Sequence, residues 1–334
     1  MDSPHIRQIL LQHDLITENT TLDIQALSGG VSSDIHLVRF DGKSLVFKQA
    51  LTQLKVKDEW LANPSRNRFE QLFFLYAHQI DPMLVPALII SDPEEGYFAM
   101  EYLDGYKMWK KELLIGEFGA GRASQAAIIL AKIHVAGREN TSLERQFDSH
   151  PNFFELRLDP YLLSTAKRHK DLKDVLTKEA TRLAGWRETV VHGDFSPKNI
   201  MIRDERMVLL DHEVAHFGDP AFDVAFMLCH LFLKSLLHPD RLPDWRKMIY
   251  EFWEQYFHMA TAGRPDDLQA RSQHLTLLLL LARVDGKSPV EYLHEKSKEH
   301  DFIRSFVYQQ MGKRQPFEQT LEDWTLALQS ENPD

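Results

Sequence analysis

The chain has 334 residues, of which 43% are hydrophobic and 26% are charged, so it has enough apolar content for a sizeable core. Its 39 basic and 49 acidic side chains leave a net charge of −10, which argues against nucleic acid as a main partner. A cationic substrate would suit this charge, although most acidic proteins have no such substrate.

Two further features predict a cytoplasmic protein with no membrane partner. The chain begins without the basic and then apolar pattern of a signal peptide, and its longest apolar run, 275–282, is too short to span a bilayer. Cys229 is the only cysteine, so no intrachain disulfide can form, as suits a reducing compartment. It is expected to be a buried small side chain. The sequence does not choose between a monomer and a homodimer.

The N-terminal third has the pattern of a small sheet with two helices. Apolar residues at helical spacing predict a helix over 5–15, and a second is predicted over 66–76, where Glu70 is the only acidic residue. Asp41 and Gly42 predict a tight hairpin. Strands are predicted at 21–27, 35–40, 44–49, 85–90 and 97–103.

The remainder of the chain has mainly helical patterns. Helices are predicted over 120–138, 151–186, 221–237, 244–261 and 266–283. Asp159-Pro160 is expected to divide the second of these into two helices, because a residue before proline disfavours helical geometry. Beyond the last, Asp285-Gly286 is expected to turn the chain. Ser288-Pro289 is then expected to open another helix with proline at its first position.

The strongest chemical signal is a set of carboxylates and one amide at fixed offsets between short apolar strands. Asp194 precedes Asn199 by five positions, while Asp211 and Glu213 follow the next apolar run. In phosphoryl transfer an Asp orients the attacking hydroxyl, and an Asn and a second Asp hold the Mg²⁺ that bridges the nucleotide phosphates. The offset of five is that of the protein-kinase catalytic loop.

Two segments depart from the protein-kinase motifs. Residues 192–194 are His-Gly-Asp in place of His-Arg-Asp, and 211–213 are Asp-His-Glu in place of Asp-Phe-Gly. Together with 218–225, they resemble the aminoglycoside phosphotransferase and choline kinase superfamily. The resemblance implies an α+β, protein-kinase-like fold with two lobes. An N-lobe at 1–103 would hold a small antiparallel sheet, and a C-lobe at 104–334 would be mainly helical.

The same resemblance assigns roles in catalysis and nucleotide binding. Asp194 would orient the acceptor hydroxyl, and Asn199, Asp211 and Glu213 would hold Mg²⁺. The residues implied to bind ATP are Lys48, Glu70, Gly29, Gly30, Ser32, Ser33, Glu101 and Leu103. Taken alone, the two glycines are typical of a plain turn, the lysine of an edge strand and the glutamate of an exposed helix face. An ion pair between Lys48 and Glu70 is predicted.

The acceptor side is less defined. In the superfamily the C-terminal helices form the acceptor pocket, and several polar residues are candidates to face it. They are Arg157, Asp159, Tyr161, Lys198, Arg283, Asp285 and Lys287. The alternatives are that Lys198 points to solvent and that 283–287 is a charged surface turn. His134, His192 and Asp223 are interpreted as structural, the last as a cap on the turn that carries Asp194.

The sequence thus predicts an ATP- and Mg²⁺-dependent kinase that phosphorylates a hydroxyl of a small molecule. By resemblance the acceptor is an aminoglycoside-like compound, a sugar, an amino alcohol or homoserine. The acidic balance of the chain slightly favours a cationic acceptor. Two alternatives remain at this point, a protein Ser/Thr kinase and a nucleotide-binding regulatory pseudokinase.

Overall fold

The computed structural model describes residues 3–27, 33–51, 66–138, 140–261, 267–294 and 297–331. The chain forms two compact units, which we call the first and the second unit. The first consists of Met1–Tyr106 and Val208–Val214, and the second of Lys107–Met207 and Ala215–Asp334. The change of unit after Tyr106 lies close to the predicted boundary at 103, but the return of 208–214 to the first unit was not predicted.

The first unit is built on an antiparallel sheet with two helices. The strands are β1 (Asp23–Ala26), β2 (Ser33–Phe40), β3 (Lys43–Ala50), β4 (Leu88–Asp92) and β5 (Tyr97–Glu101), in the order β1-β2-β3-β5-β4. The helices are α1 (Ser3–Gln12) and α2 (Arg66–Ile80). Asp41 and Gly42 have φ of 45° and 73°, as the predicted two-residue hairpin requires.

One apolar cluster joins α1 to one face of this sheet. Ile6, Ile9 and Leu10 lie on one face of α1 and pack with residues that include Val38 and Phe47. The helical spacing read from the sequence is therefore the spacing of a buried face.

The second unit is mainly helical. Its α-helices are α3 (Trp109–Leu114), α4 (Arg122–Gly137), α5 (Thr141–Gln146), α6 (His150–Phe153), α7 (Ser164–Arg168), α8 (Lys173–Gly185), α9 (Ala221–Ser235), α10 (Leu242–Ala260), α11 (Leu268–Asp285), α12 (Lys298–Gln310) and α13 (Phe317–Glu331). Its strands are β6 (Lys107–Met108), β7 (Thr189–Val191), β8 (Ile200–Arg203), β9 (Arg206–Leu209), within which the chain passes to the first unit, and β10 (His216–Gly218). Cys229 is fully buried in α9, as expected, and burial raises the pKa of its thiol to about 12.

The predicted helix boundary at Asp159-Pro160 is wrong. Helix continues from α6 through a π-helical segment, Phe154–Leu163, into α7, and Pro160 lies inside that segment. A proline breaks an α-helix by removing one N–H and crowding the preceding turn, whereas the wider π turn changes the hydrogen-bond spacing locally. The helical run ends instead at Arg168.

The predicted helix at Ser288-Pro289 is also wrong. Helix α11 extends to Asp285, and residues 286–294 contain no helix; the next described helix is α12. The backbone of this segment, which we call the 286–294 loop, bonds to other elements instead. Lys287 N donates to Pro160 O (2.8 Å), and Val290 N donates to Arg283 O (2.9 Å).

Gly286 lies where this loop leaves α11. A Cβ added at this residue would lie 2.9 Å from Pro160 O and closer still to the carbonyl of Ala282. Its φ of −79° is open to any residue, so lack of space is what requires glycine here.

Within the described ranges, no single helix is long and apolar enough to cross a membrane. Helix α9 and the segment Pro239–Ala260 reach that measure only when taken together, and they are bent by 116° to each other.

Candidate active site

The first unit contains a buried lysine held by two carboxylates. Lys48 lies in β3, between its partners Ile35 in β2 and Phe98 in β5. Its Nζ is 2.8 Å from Glu70 Oε1 on α2 and 2.7 Å from Asp211 Oδ1. The predicted contact between Lys48 and Glu70 is confirmed, and the lysine is an interior residue and not a solvated edge residue.

Burial and the neighbouring charges shift the pKa values of Lys48 and Glu70 in opposite directions. Burial lowers the pKa of Lys48, but Asp211, Glu70 and Glu213 outweigh it, so its pKa lies above the ordinary value and the ammonium is charged. Burial raises the pKa of Glu70 to about 7 against the opposing effect of Lys48. The ion pair thus depends on the lysine remaining charged.

The segment after β9 adds two side chains that pack against α2. Glu213 Oε2 accepts from Arg66 Nε at 2.9 Å, and the Arg66 side chain is fully buried. The ring of His212 stacks on Phe73 with 4.4 Å between centroids. Asp211, which precedes them, has a φ of 64°, in the left-handed region that Asp tolerates better than most residues. Arg66 therefore orients the carboxylate that the sequence assigned to the metal.

In the second unit, Asp223 caps the turn that carries Asp194. Its two carboxylate oxygens accept from His192 N (2.7 Å) and Gly193 N (2.8 Å). Gly193 has a φ of 75°, which a side chain would disfavour. The ring of His134 lies 3.2 Å from the same carboxylate. The structural roles predicted for these residues agree with these contacts.

Burial would raise the pKa of Asp223, but hydrogen bonds from His134 and from the backbone N–H of His192 lower it below its ordinary value. The carboxylate is therefore ionised at neutral pH, and it can satisfy two buried backbone donors at once.

Asp194 is held by two cations and keeps one oxygen unpartnered. Its Oδ2 lies 3.0 Å from Arg157 Nη2 and 2.8 Å from Lys198 Nζ. Arg157 also donates from Nε to Gly193 O at 2.7 Å, which fixes the guanidinium on the same turn. Asp194 Oδ1 is buried and has no hydrogen-bond partner among the described residues. An incoming hydroxyl would supply the missing donor.

Asn199 is oriented by the same loop. Its Nδ2 donates to Asp194 O at 3.0 Å, which leaves Oδ1 as the atom that can bind a cation. Taken one by one, this amide oxygen and the carboxylates of Asp211 and Glu213 in the first unit are hard oxygen donors of the kind that Mg²⁺ takes, so each residue fits the ion by its chemistry. The part of the chain that the structure describes contains no cluster of three or more His, Cys, Asp and Glu side chains arranged for a metal.

The acceptor candidates fall into separate environments. Arg283 Nη1 donates to Tyr161 Oη at 3.1 Å, and both side chains are buried. Asp285 instead pairs with Arg304 (2.7 Å) and His169 (2.9 Å), so it links the end of α11 to α12 and to the residue after α7.

Lys287 is exposed, as the alternative of a surface turn implies for this residue. Asp159 is half-buried and has no side-chain hydrogen bond to another described residue. Lys198 contacts Asp194 and does not merely point to solvent.

The other six residues predicted to bind ATP lie at 29–33 and 101–103 of the sequence. Gly29, Gly30 and Ser32 lie outside the described residues. Ser33 begins β2 and pairs with Ala50. The last two candidates, Glu101 and Leu103, lie at and after the end of β5. Glu101 N donates to Ala87 O at 2.9 Å, and Leu103 O accepts from Tyr106 N at 3.4 Å.

Sequence reasoning missed the contacts that fix Asp194 and Glu213. Arg157 was noted as a candidate to face the acceptor, and Arg66 was not noted at all. The sequence signal for Arg66 is its place at the start of α2. The positive end of the helix dipole disfavours a cation there, so a carboxylate is expected nearby to compensate the charge.

The sequence profile of the phosphotransferase enzyme family matches residues 23–265 of this chain, well over half of its length. The chain belongs to the phosphotransferase enzyme family. The predicted family is thereby confirmed, and membership supports the predicted class of enzyme.

Curated relatives of this chain are similar over about 70% of its length. A methylthioribose kinase from Bacillus velezensis is 25% identical over 264 residues, 70% of this chain and 66% of the relative. One from Escherichia coli is 24% identical over 260 residues, 69% of this chain and 62% of the relative. This chain thus spans slightly less than two thirds of the length of these relatives.

Solved structures share the fold at low identity. A choline kinase from Cryptosporidium parvum superposes with a TM-score of 0.56 at 13% identity, covering 98% of this chain and 99% of the other. An ADP-bound aminoglycoside phosphotransferase superposes with a TM-score of 0.52 at 15% identity, covering 99% and 98%. The predicted α+β kinase-like fold is confirmed.

Proposed function

We propose that this phosphotransferase is a small-molecule kinase that transfers the γ-phosphoryl group of ATP to a hydroxyl group. The observation that carries the proposal is Asp194, a buried carboxylate on a capped turn, with one oxygen held by cations and the other unpartnered within the described residues. Such a carboxylate can position an attacking hydroxyl, which is the main task in phosphoryl transfer.

The other residues take the roles that the family resemblance implies. Lys48 contacts the phosphates of the nucleotide, and Glu70 holds the lysine in place. Asn199, Asp211 and Glu213 would hold Mg²⁺, with the Glu213 carboxylate oriented by Arg66. The ion, when bound, neutralises charge on the transferred phosphoryl group. The acceptor hydroxyl donates to Asp194 Oδ1, which orients it and takes its proton as the bond from the acceptor oxygen to the γ-phosphorus forms. The bond from that phosphorus to the bridging oxygen breaks, and ADP leaves with the oxygen.

The curated relatives are named as kinases of a small sugar, and the structural neighbours as kinases of aminoglycosides or choline. These names support a small-molecule acceptor for this chain. No contact in the described residues favours a protein substrate or a purely regulatory role.

The test is ADP release, measured in a coupled assay with a panel of aminoglycosides, amino alcohols, pentoses and hydroxy amino acids. We expect turnover with at least one acceptor, and a loss of about 10³-fold or more in kcat for Asp194→Asn. Asp174→Asn, an exposed change in the same unit, serves as the matched control and should leave kcat unaltered. Full activity of Asp194→Asn, or nucleotide binding without turnover of any acceptor, would contradict the proposal.

A further inference from the structure

Three buried basic side chains of the second unit, His230, Lys234 and Arg283, form what we call the basic cluster. On α9, His230 and Lys234 are one turn apart and follow Phe226, so the three side chains share one face of the helix. Arg283 lies on α11, which packs against α9. Lys234 and Arg283 are 1% and 7% exposed.

Lys234 has no counter-ion among the residues that the structure describes. Its Nζ donates to Tyr292 Oη at 3.3 Å and lies 4.5 Å from the centre of that ring. No carboxylate of the described residues lies within 4.0 Å of it. The nearby carboxylate of Glu291 is instead paired with Lys110.

Arg283 likewise has no counter-ion among the described residues. Its Nη1 donates to neutral oxygens only, those of Tyr161 and Ser288. Its Nε is buried and has no hydrogen-bond partner among the described residues. No described carboxylate reaches it within 4.0 Å either.

His230 adds two unsatisfied nitrogens. The side chain is 4% exposed, and within the described chain neither Nδ1 nor Nε2 has a hydrogen-bond partner. Its ring contacts Phe226 edge to face with 5.0 Å between centroids. Buried polar groups in folded proteins almost always have partners, so a histidine with none in the described part of the chain, beside two cations with no described counter-ion, points to a site that binds an anion.

This arrangement is costly for the free protein. An uncompensated buried charge is strongly unfavourable, and such groups recur at functional sites more than elsewhere. Burial and the charges of Lys110 and Arg283 lower the pKa of Lys234 to about 7. Burial and the same surrounding cations hold the pKa of His230 well below its ordinary value. An anion would relieve both effects.

The basic cluster is connected to the catalytic turn through Tyr161. The hydroxyl of Tyr161 accepts from Arg283, and its ring lies 5.8 Å from the guanidinium of Arg157, which holds Asp194. Burial would raise the pKa of Tyr161, but Arg283 and Arg157 outweigh burial and lower it. A single side chain thus separates the cluster from the residues around Asp194.

We propose that the basic cluster binds an anionic group of the acceptor, a carboxylate or a phosphate ester, while the hydroxyl of the same molecule meets Asp194. The acceptor is then a hydroxy compound that carries an anionic group, such as a hydroxy acid or a hydroxy amino acid, and not a purely cationic alcohol. This inference rests on the proposed kinase function. It reverses the preference for a cationic acceptor that the net charge of the chain suggested, because the local charge is positive.

Matched acceptor pairs test the proposal. The pairs are 4-hydroxybutyrate with 1,4-butanediol, homoserine with 2-amino-1,4-butanediol, and glycerol 3-phosphate with glycerol, and choline is included as a cation. Binding is measured by calorimetry and turnover by ADP release. We expect the anionic member of at least one pair to bind about 30-fold more tightly or more, as for a charge pair formed in a buried site. Comparison of the two pairs that contain a carboxylate with the pair that contains a phosphate shows which anion is preferred.

Two variants locate the effect. Lys234→Met and Arg283→Gln should each raise KM for the anionic acceptor about tenfold or more, with a smaller change in kcat. Lys234→Met should keep or raise the melting temperature, because it removes a buried charge, and this separates lost binding from lost folding. Lys247→Met, exposed on α10, is the control and should alter neither value.

The affinity for an anionic acceptor should also fall as the pH rises from 6 to 9, because Lys234 loses its proton near pH 7 and an anion favours the protonated form. The groups that surround the ammonium are His230, Lys110, Arg283, Cys229, Glu291 and Tyr292.

The outcomes are distinguishable from those of the proposed function. If a neutral or cationic acceptor is phosphorylated and both variants retain its KM, the kinase function stands and the basic cluster proposal is wrong. If wild type binds anionic compounds in a way that depends on Lys234 but transfers no phosphate, the kinase function is wrong and the anion site stands. Binding of no anionic compound overturns the inference.

Discussion

The residue that best shows how charge fixes this site is Lys48. It lies in the interior of a sheet with Glu70 and Asp211 on its ammonium, and the three side chains share one buried group. A buried ion pair contributes little net stability by itself, but removal of one partner leaves an uncompensated charge. The group therefore serves to fix geometry, and its stability effect appears only when it is broken.

Lys48→Met should lower the free energy of unfolding by about 3–5 kcal/mol, since it leaves two carboxylates close together without a cation. The double variant Lys48→Met with Glu70→Gln should recover part of that loss. Urea unfolding of the four proteins in this cycle measures both values. Additive losses would show that the two side chains do not interact.

The same cycle has a defined pH dependence. Glu70 has a pKa of about 7 in the folded protein and 4.5 when unperturbed, so between these values the folded state keeps a proton that the unfolded state releases. Its contribution to stability therefore falls as pH rises through this window. Loss of Lys48 raises this pKa further, so Lys48→Met should be more destabilising at pH 8 than at pH 5. An equal loss at both pH values would contradict this account.

Arg157 acts on Asp194 from the side, and we predict a positioning role for it. Arg157→Gln removes the contacts to Asp194 Oδ2 and Gly193 O and should lower kcat about 10- to 100-fold with little change in KM for ATP. Arg157→Lys restores the charge without the two-point contact and should recover only part of kcat. A full recovery by lysine would show that charge alone matters.

At this scale the sequence predicted side chains but not their partners. The pair of Lys48 and Glu70 could be inferred because both belong to a known order of motifs. Arg66 and Glu213 are 147 positions apart, and no local pattern links them. The contact exists because tertiary packing brings α2 to the segment after β9, and such packing cannot be read from spacing.

Among the elements, helix α9 uses a residue of its first turn to hold the turn that carries Asp194. Asp223 lies there and accepts from two backbone N–H groups of the 192–194 segment. A carboxylate near a helix N-terminus is also favoured by the helix dipole. The helix therefore fixes the path of a loop that belongs to a different part of the chain.

Asp223→Ala should lower the unfolding free energy by about 3 kcal/mol at pH 7, because two buried donors lose their acceptor. Folded Asp223 has a lowered pKa, so its stabilisation is present above the ordinary value of 3.8 and is lost as pH falls through the folded pKa. The deficit of the variant should therefore shrink at pH 3. Urea unfolding at both pH values measures this, and Asp244→Ala on the surface is the control.

The predicted helix boundaries are wrong at two prolines, where the prediction relied only on the local backbone preference of proline. Both Pro160 and Pro289 were assigned to helix boundaries, but the first lies inside a π-helical segment and the second in the 286–294 loop. The two regions contact each other through Lys287 N and Pro160 O. Long-range hydrogen bonds replaced the local preferences, whereas the periodic helices α4, α9, α10 and α11 were predicted to within a few residues.

At the scale of the whole molecule, the first unit is discontinuous in sequence. Residues 208–214 return to it after a long excursion and supply Asp211 to Lys48 and Glu213 to Arg66. Leu209 N also donates to Leu84 O at 2.8 Å. The unit is therefore complete only when both segments are present.

A fragment of residues 1–106 should accordingly fail to fold cooperatively, because it buries Lys48 and Arg66 without these carboxylates. The same fragment with 206–216 appended through a Gly/Ser linker should gain a sigmoidal thermal transition, followed by circular dichroism. A cooperative transition in the shorter fragment would show that the returning segment is dispensable.

The overall fold was predictable because the motif residues lie in a fixed order along the chain. The acceptor side was not, since Arg283 and Tyr292 lie after the segment 23–265 that the family profile matches. The residues proposed to select the acceptor therefore lie outside the segment that the family profile matches.

Gly286 sets a limit on how this region can be altered. With no room for a methyl group between α11 and Pro160, position 286 is closed to side-chain variation, whereas Ser288 and Tyr292 in the same loop carry side chains that contact Arg283 and Lys234. A combinatorial library aimed at a new acceptor should therefore randomise those two positions and keep the glycine. Libraries that include position 286 would lose most of their members to misplacement of the loop.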